Sequence, residues 1–576
     1  MASENYGEMS GEDMCEYLKE KGLQKWADAF KEKSVIKLWE LNDDGFMSGM
    51  GIHQPEERQN ILDSILKILP SAPEVFNDPI HGGMELHPLL VKIIDTPQFQ
   101  RLRNIKQLGA CYLVYPGATH NRCEHSIGVG YLAGELVKAL KEKQPELYIT
   151  DRDILCVQIA GLCHDLGQGP FSHVFDQMFI PKAKMKTWKH EDASVEMFDH
   201  LVRSNEDLKG MMKACGLKLP QDLVFIKEMI KPRAAQEESS PQWPYKGRPE
   251  EKSFLYEIVA NKRNGIDVDT FDYFARDSYH LDIKNNFDHG RFIKFARVCE
   301  VDGQKHICTR DEEVNNLYDL FQTRYSLHRR AYQHKVKQII EHMIAEAFLK
   351  ADEHIQIEGS GGRMFTLSTA IADMEAYTKL TDCVFNQILN STEDNLQEAR
   401  KIVTNIFEDK HYRFLGEIKT ERISTEEEIS QLKEDLAAAL PLPREGAQAD
   451  RLTKEDFVVL HATMDYGKKG KDPIDSMDFY NKKNPTQAFK IKREQVSKLL
   501  PEHFSETLFR VYSRKIDPES LEAARGHFEQ WIEGRKEELP AVLPGQISTR
   551  PEVPSVTTRK MATRPFVISD DEVDFR

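Results

Sequence analysis

At 576 residues with 40% hydrophobic side chains, the chain can bury at least one large core and has room for several domains, which excludes a peptide-scale or wholly disordered protein. A formal net charge of −16 excludes nonspecific capture of nucleic acid by the whole surface, because counterion release needs clustered Lys and Arg; a local basic site stays open. Nine scattered cysteines without a CxxC pair argue against a disulfide framework or zinc-thiolate site and suit a reducing compartment.

The opening MASENYGEMSGEDM lacks a charged-then-apolar leader pattern, and no stretch reaches the length of a membrane span, so a soluble intracellular protein is expected. Residues 8–70 predict a compact helical unit, with Trp26, Phe30, Leu38, Leu41, Phe46, Met50, Ile52, Ile61, Leu62, Ile65 and Leu66 at amphipathic spacing. Ser71-Ala72-Pro73 reads as a linker. Residues 75–352 are dominated by long helices, including the apolar stretch Asp153 to Leu166, which stops at Gly167-Gln168-Gly169-Pro170. The polar, proline-containing run from Arg233 to Ser253 is expected to be a mobile surface loop. VCEVDGQKHICT predicts two strands joined at Asp302-Gly303, with Cys299 and Cys308 either side of the turn. Residues 353–538 predict a smaller α+β lobe, with strands in FVVLHATMDYG and AFKIKREQV and a helix in SLEAARGHFEQWIEGRK. The final segment, 539–576, loses periodicity and is expected to be disordered, with Thr557, Thr558, Thr563 and Ser569 accessible to phosphorylation. The fold class expected is mainly α.

Chemistry points to His164-Asp165. In a chain with 20 histidines one such dipeptide arises about once by chance, so the pair alone carries little. Its setting says more: an imidazole and a carboxylate at the end of an apolar helix are both hard to bury, and a metal ion would resolve that cost. Upstream, His125 begins another apolar helix with small residues on one face. Downstream, Asp269, Tyr273 and Asp277 recur at i, i+4 and i+8 on one helical face. Two imidazoles and two carboxylates without a thiolate suit Fe, Mn, Zn or Mg and do not suit a structural zinc.

The H…HD…D order, FNDPIHGGMELHPLLVKIIDTPQFQRLRNIKQLG, GLCHDLGQGPFSHVFD and LHRRAYQHK together resemble the HD-domain deoxynucleoside triphosphate triphosphohydrolases that carry an N-terminal sterile alpha motif (SAM) domain. The resemblance runs to about residue 536. It implies a five-helix SAM domain at 8–70, an all-helical HD domain at 75–352 and a regulatory, oligomerising lobe at 353–538. It implies hydrolysis of dNTP to deoxynucleoside and inorganic triphosphate, with a divalent metal (Zn, Fe or Mn) on His125, His164, Asp165 and Asp269. His173 matches the family's general acid, supported by His190 and Asp176; an exposed helix-start residue is the alternative. Arg122 and Arg324 match phosphate contacts, with Tyr273 able to donate a hydrogen bond beside them, and Gln107, Leu108, Asp277, Tyr332 and Gln333 match sugar contacts, Leu108 and Tyr332 crowding out a ribose 2′-hydroxyl. His328 reads equally as a pocket residue or part of a solvated basic stripe.

The resemblance further implies activation by GTP or dGTP and a dNTP, carried with Mg, and assembly into a homotetramer. Asp95, Gln100 and Arg103 match the guanine-reading site. Val75, Asn77, Arg291, Arg310, Asn316, His334, Lys335, Arg413 and Lys482 match the rest of the activator positions. A nuclear location, control of dNTP pools, antiviral defence and DNA repair are implied in the same way, with single-stranded nucleic acid and repair proteins as further partners. Several residues depart from the pattern. Gln168 replaces a histidine and Thr270 a lysine, while Glu74, Glu312 and Asp409 stand where basic residues are usual, which predicts weaker activation. Two other readings remain open: a catalytically weakened nucleotide-regulated scaffold, and an HD phosphodiesterase for another ester.

Overall fold

The computed structural model describes residues 8–31, 33–37, 41, 44–68, 72–183, 188–233, 243–420, 425–439, 452–497 and 500–535. Leu38, Ser71, the tail threonines and Ser569 lie outside them. The chain forms two compact units. The larger takes in the described residues up to Tyr412 together with His461–Thr507; the smaller takes in Arg413–Thr420, 425–439, 452–460 and 508–535.

In the larger unit the first described helices are Gly11–Glu20, Gln24–Lys31, Asp44–Gly49 and Pro55–Leu66. Ser10 starts the first by accepting from Asp13 N–H at 3.1 Å. Met14, Leu18, Ala27, Phe30, Ile61 and Ile65 are buried between them. Gly51, at φ +79°, makes the turn before the last helix, a conformation that favours glycine. This group rests on helix Leu208–Ala214, where Gly210 leaves room for the Tyr17 ring. Tyr17 donates to Ser64 O at 2.7 Å, and Lys213 pairs with Asp13 and Glu16 at 3.0 and 2.6 Å.

The centre of the larger unit is a helix pair, Arg122–Lys143 against Asp151–Cys163. Small residues let the two backbones approach: a Cβ on Gly161 would lie 3.0 Å from Val129 O, and one on Gly134 2.4 Å from Gln158 Nε2. Helix Val268–Leu281 packs across the first of the pair. Helix Val314–Leu327, which carries Arg324, runs on into a π-turn, His328–Tyr332. The predicted hairpin is present as Arg297–Val301 and Gln304–Arg310, with Phe479–Tyr480 added in parallel. Cys299 faces His306 and Cys308 faces Arg297; both thiols are free and buried.

Three expectations need correction. Residues 75–352 are not all helical: strand Glu74–Asp78 pairs with Gly82–Leu86, and the hairpin Arg297–Val301 with Gln304–Arg310 lies in the same stretch. The part of the 233–253 run that is described is not a loose loop. Trp243 donates to Arg248 O at 2.8 Å, Tyr245 stacks on Tyr256 at 4.1 Å, and Arg248 is buried between Asp153 and Asp222. Its aromatic and guanidinium groups outweigh its polar composition. AFKIKREQV is not a strand: it makes one isolated bridge, Phe479 with Phe489, before the short helix Arg493–Val496. In the smaller unit, strand Arg413–Thr420 and helices Glu426–Ala438 and Pro518–Glu533 share one apolar cluster around Leu415, Leu436, Phe457, Val511, Phe528 and Trp531. Among the described residues no helix is long and apolar enough to cross a membrane.

Candidate metal centre and its surroundings

Three helix ends converge. Asn121 and Glu124 close a capping box at the start of Arg122–Lys143, placing His125 one turn in and fully buried. His164 is the C-cap residue of Asp151–Cys163, so His164 and Asp165 leave the same helix end. The Asp267 carboxylate caps Val268–Leu281 by accepting from Thr270 N–H at 3.0 Å, and Asp269 lies in that first turn. His125 Nε2 is 3.1 Å from Asp269 Oδ1 and 3.6 Å from Asp165 Oδ2, while His164 Nε2 is 3.5 Å from each.

On both rings the other nitrogen is committed: His125 Nδ1 to Asp272 Oδ2 and His164 Nδ1 to Gly161 O, each at 2.7 Å. Donation from Nδ1 leaves the Nε2 lone pairs facing inward, and both Nε2 atoms are buried without a hydrogen-bond partner. Orphaned imidazole nitrogens beside two carboxylates are the donor set a divalent cation completes, so these residues fit a metal. One atom each from His125, His164 and Asp269 falls within 4.8 Å of the others. Burial works against charge on His125, but the neighbouring Asp269 and Asp272 carboxylates outweigh it and raise its pKa to about 10. Asp165 is held well below the usual carboxylate range: burial opposes this, and Arg122, His164 and His125 prevail. The pocket therefore selects positive charge.

Sequence reasoning missed the support behind the ligands. Asp272 also accepts from Arg276 Nε at 2.9 Å and lies 2.7 Å from His81 Nε2, and Arg276 reaches Asp78 at 2.8 Å. The i, i+4 spacing of Asp272 and Arg276, on the helix that carries Asp269, was the available signal. Behind the His-Asp turn, Arg101 donates to Leu166 O, Gln168 O and Leu380 O, and Tyr377 donates to Gly167 O. Gln168 is buried, with its amide 3.2 Å from Asp165 Oδ1, so it steadies the Asp165 carboxylate.

Arg122 is fully engaged, donating to Asp165 Oδ2, Ser172 Oγ and Gln107 O at 2.6, 3.0 and 3.2 Å. His173 precedes the π-turn Val174–Phe179, with its side chain 55% exposed and Nδ1 3.4 Å from Asp176 Oδ1. His190 takes the other Asp176 oxygen at 2.7 Å, and the two imidazole centroids are 5.9 Å apart. Burial opposes ionisation of Asp176, yet the His173 and His190 imidazoles hold it well below the carboxylate range; the Asp176 bond likewise raises His190 against burial. Trp188 stands edge-on to Phe175 and Tyr377 beside this cluster.

The predicted sugar and phosphate residues fall on neighbouring elements. Asp277 receives Tyr332 O–H at 2.6 Å and lies 2.6 Å from His120 Nε2. Gln107 is buried with Oε1 unpaired, Leu108 packs on the core, and Gln333 Oε1 accepts from Gln338 at 2.5 Å. Arg324 is 3.4 Å from Tyr273 Oη and 3.5 Å from Asp465. Burial depresses the His328 pKa to about 3, so it is a neutral, half-buried ring and not part of a charged stripe.

Of the predicted activator residues, Asp95, Gln100 and Arg103 share one surface: Gln100 donates to Ile94 O and accepts from Arg103, both at 2.7 Å. Arg291 and Arg310 flank the Phe295 ring at 5.1 and 5.4 Å, with Asn316 bonded to Asp288 O at 3.0 Å. Glu312 pairs with Arg310 at 2.8 Å. Glu74, Val75 and Asn77 lie on strand Glu74–Asp78, His334 and Lys335 at the start of Lys335–Ala351, and Lys482 on an exposed loop. Arg413 begins the first strand of the smaller unit.

The family model described as "HD domain" matches residues 122–254. The chain is 59% identical over 535 residues to deoxynucleoside triphosphate triphosphohydrolase SAMHD1 of Danio rerio, covering 91% of this chain and 85% of that protein. It is 55% identical to the Xenopus laevis protein of that name, covering 92% and 85% respectively. The Homo sapiens protein is 53% identical, with 92% and 86% covered. With an HD-type donor set at the junction of three helices and this identity along nearly its whole length, the chain belongs to the SAMHD1 family of deoxynucleoside triphosphate triphosphohydrolases.

Proposed function

We propose that the chain hydrolyses deoxynucleoside triphosphates to the deoxynucleoside and inorganic triphosphate. The carrying observation is the convergence of His125, His164, Asp165 and Asp269, with two imidazole Nε2 atoms orphaned, next to the His173–Asp176–His190 cluster. His125, His164, Asp165 and Asp269 would hold a divalent metal, Zn, Fe or Mn, which would supply Lewis acidity toward the α-phosphate and a more acidic water. Asp272 and Gly161 O keep the two imidazoles aimed. His173 delivers a proton to the departing sugar O5′, with Asp176 orienting its ring and His190 bracing Asp176. Arg324 and Tyr273 receive the triphosphate, and Arg122 joins them by exchanging one of its three present partners. Gln107, Asp277 and Gln333 hold the deoxyribose, while Leu108 and Tyr332 leave no room for a 2′-hydroxyl.

This reading extends to regulation. GTP or dGTP, with Mg, is read by Asp95, Gln100 and Arg103, and a dNTP occupies a second site around Val75, Asn77, Arg291, Arg310, Asn316, His334, Lys335, Arg413 and Lys482, driving a homotetramer. Residues 8–70 act as a SAM interaction domain, 75–352 as the HD domain and 353–538 as a regulatory lobe in a nuclear protein that limits dNTP pools, with antiviral and repair roles. Family resemblance supports these steps. The pairing of Glu312 with Arg310 favours weaker activation, and with it the alternative of a nucleotide-regulated scaffold that binds single-stranded nucleic acid or repair proteins.

Metal analysis and product identification on purified protein test the central reading, with His164→Ala and Asp165→Ala alongside. Deoxynucleoside and triphosphate as sole products, lost in both variants, are expected. Retained triphosphate release in both variants overturns the assignment.

A further inference from the structure

We propose that Asp382 is a positioning residue that locks the sugar-facing loop and the His173 turn against each other. The inference rests on the proposed roles of Leu108 and His173. Two segments that the reaction needs meet back to back, Lys106 to Leu108 and Phe171 to His173. They touch through backbone: a Cβ on Gly109, at φ +56°, would lie 2.7 Å from Phe171 O. Neither belongs to a regular helix or strand. Phe171 and Ser172 both adopt left-handed backbone, at φ 56° and 54°, a region that bulky residues keep only where their surroundings over-determine it.

Asp382 provides that constraint. Its Oδ1 accepts Phe171 N–H at 2.6 Å, its Oδ2 accepts Lys106 N–H at 2.8 Å, and its own N–H donates to Asn104 O at 3.0 Å. Ser172 closes the knot, donating to Lys106 O at 2.7 Å and accepting from Arg122 Nε at 3.0 Å. Through Arg122 the knot reaches Asp165. Asp382 stands at the N-cap of helix Cys383–Asn390, where a carboxylate ordinarily binds its own helix, yet it makes no cap bond there. Both oxygens serve the two loops instead. Only a carboxylate fits this place, because an amide offers one acceptor and would turn its NH₂ toward the second N–H.

Asp382→Asn separates this role from simple structural support. Loss of folded enzyme lowers the rates for deoxy and ribo substrates equally; a shifted Leu108 loop changes their ratio. With dATP and ATP as probes, the preference in kcat/KM for dATP is expected to fall by about fivefold or more. With dATP alone kcat is expected to fall by about tenfold, and KM to move by less than about threefold, as His173 loses its aim. Metal content, measured in parallel, is expected to stay close to the parent, and the thermal midpoint to fall with unfolding still cooperative, as one backbone N–H loses its acceptor. If Asp382→Asn does not fold, the same ratios are read on Asp382→Glu, whose oxygens are displaced by one methylene, with the same direction expected.

Leu108→Ala is the control for the underlying reading. A lowered deoxy preference in Leu108→Ala with unchanged preference and kcat in the Asp382 variant overturns the proposal. Unchanged preference in Leu108→Ala removes only the sugar-exclusion reading; Asp382 is then judged on kcat for dATP, and an unchanged value overturns it.

Discussion

Asp272 carries more of the candidate site than its place outside the ligand set suggests. It is the shared acceptor for His125, His81 and the buried Arg276, so removing its charge leaves that guanidinium with Asp78 as its remaining carboxylate. Asp272→Asn is expected to cost about 3–5 kcal/mol in a denaturant titration, the usual consequence of breaking a buried pair. Metal affinity, read by competition with a chelator, should fall about 10–100-fold. The His190–Asp176 pair makes a different prediction, in pH. The raised pKa of His190 means that the native state holds its proton more tightly than the unfolded chain. Its contribution is therefore full below the unfolded value of about 6.5 and fades as pH rises through the folded one. Asp176 is depressed, so its contribution is present above about 3.9 and is lost as pH falls. Asp176→Asn should thus lower the thermal midpoint more at pH 6 than at pH 9; equal losses at both would refute the pairing.

The helix Arg122–Lys143 shows how small residues decide where chemistry sits. Gly128 lies against the carboxylate that aims His125: a Cβ there would stand 2.0 Å from Asp272 Oδ1 and 2.7 Å from Arg276. Gly128→Ala gains about 1 kcal/mol of helix propensity, but overpacking at that contact costs about 1–3 kcal/mol. The expected outcome is lower thermal stability together with lost metal, read by calorimetry and elemental analysis. The small-residue face of this helix, the helix end at His164 and the Asp269–Tyr273–Asp277 face were all legible as local periodicity. What supports them was not, because Arg101 and Tyr377 act through backbone carbonyls far along the chain. The π-turn after Leu327 was equally hidden: a spacing of four reads as regular helix whether or not one extra residue has been inserted.

Over the whole molecule, the mainly helical class followed from periodicity, whereas the order in 243–253 was concealed by polar composition. Its packing depends on Asp153, Asp222 and Tyr256, partners that no local window contains. Regulation is where the chain's overall acidity matters. Glu312 sits on Arg310 at a position proposed to face a polyphosphate, so Glu312→Lys should both free that cation and add another. The GTP or dNTP concentration for half-maximal activation is expected to fall by about tenfold, equivalent to about 1.4 kcal/mol. Full activation of the parent chain at ordinary GTP levels would contradict the weakened-activation reading.

The seat of Trp188 has an optical consequence. Its indole touches Phe175, in the turn that follows His173, and Tyr377, whose hydroxyl holds Gly167. Any rearrangement that moves the His173 turn or the residues after the His-Asp pair changes the polarity around this one ring. With only five tryptophans in the chain, replacing the other four with Phe leaves an emission signal native to the site. Stopped-flow fluorescence on that variant would report, without an attached dye, when substrate binding disturbs this turn.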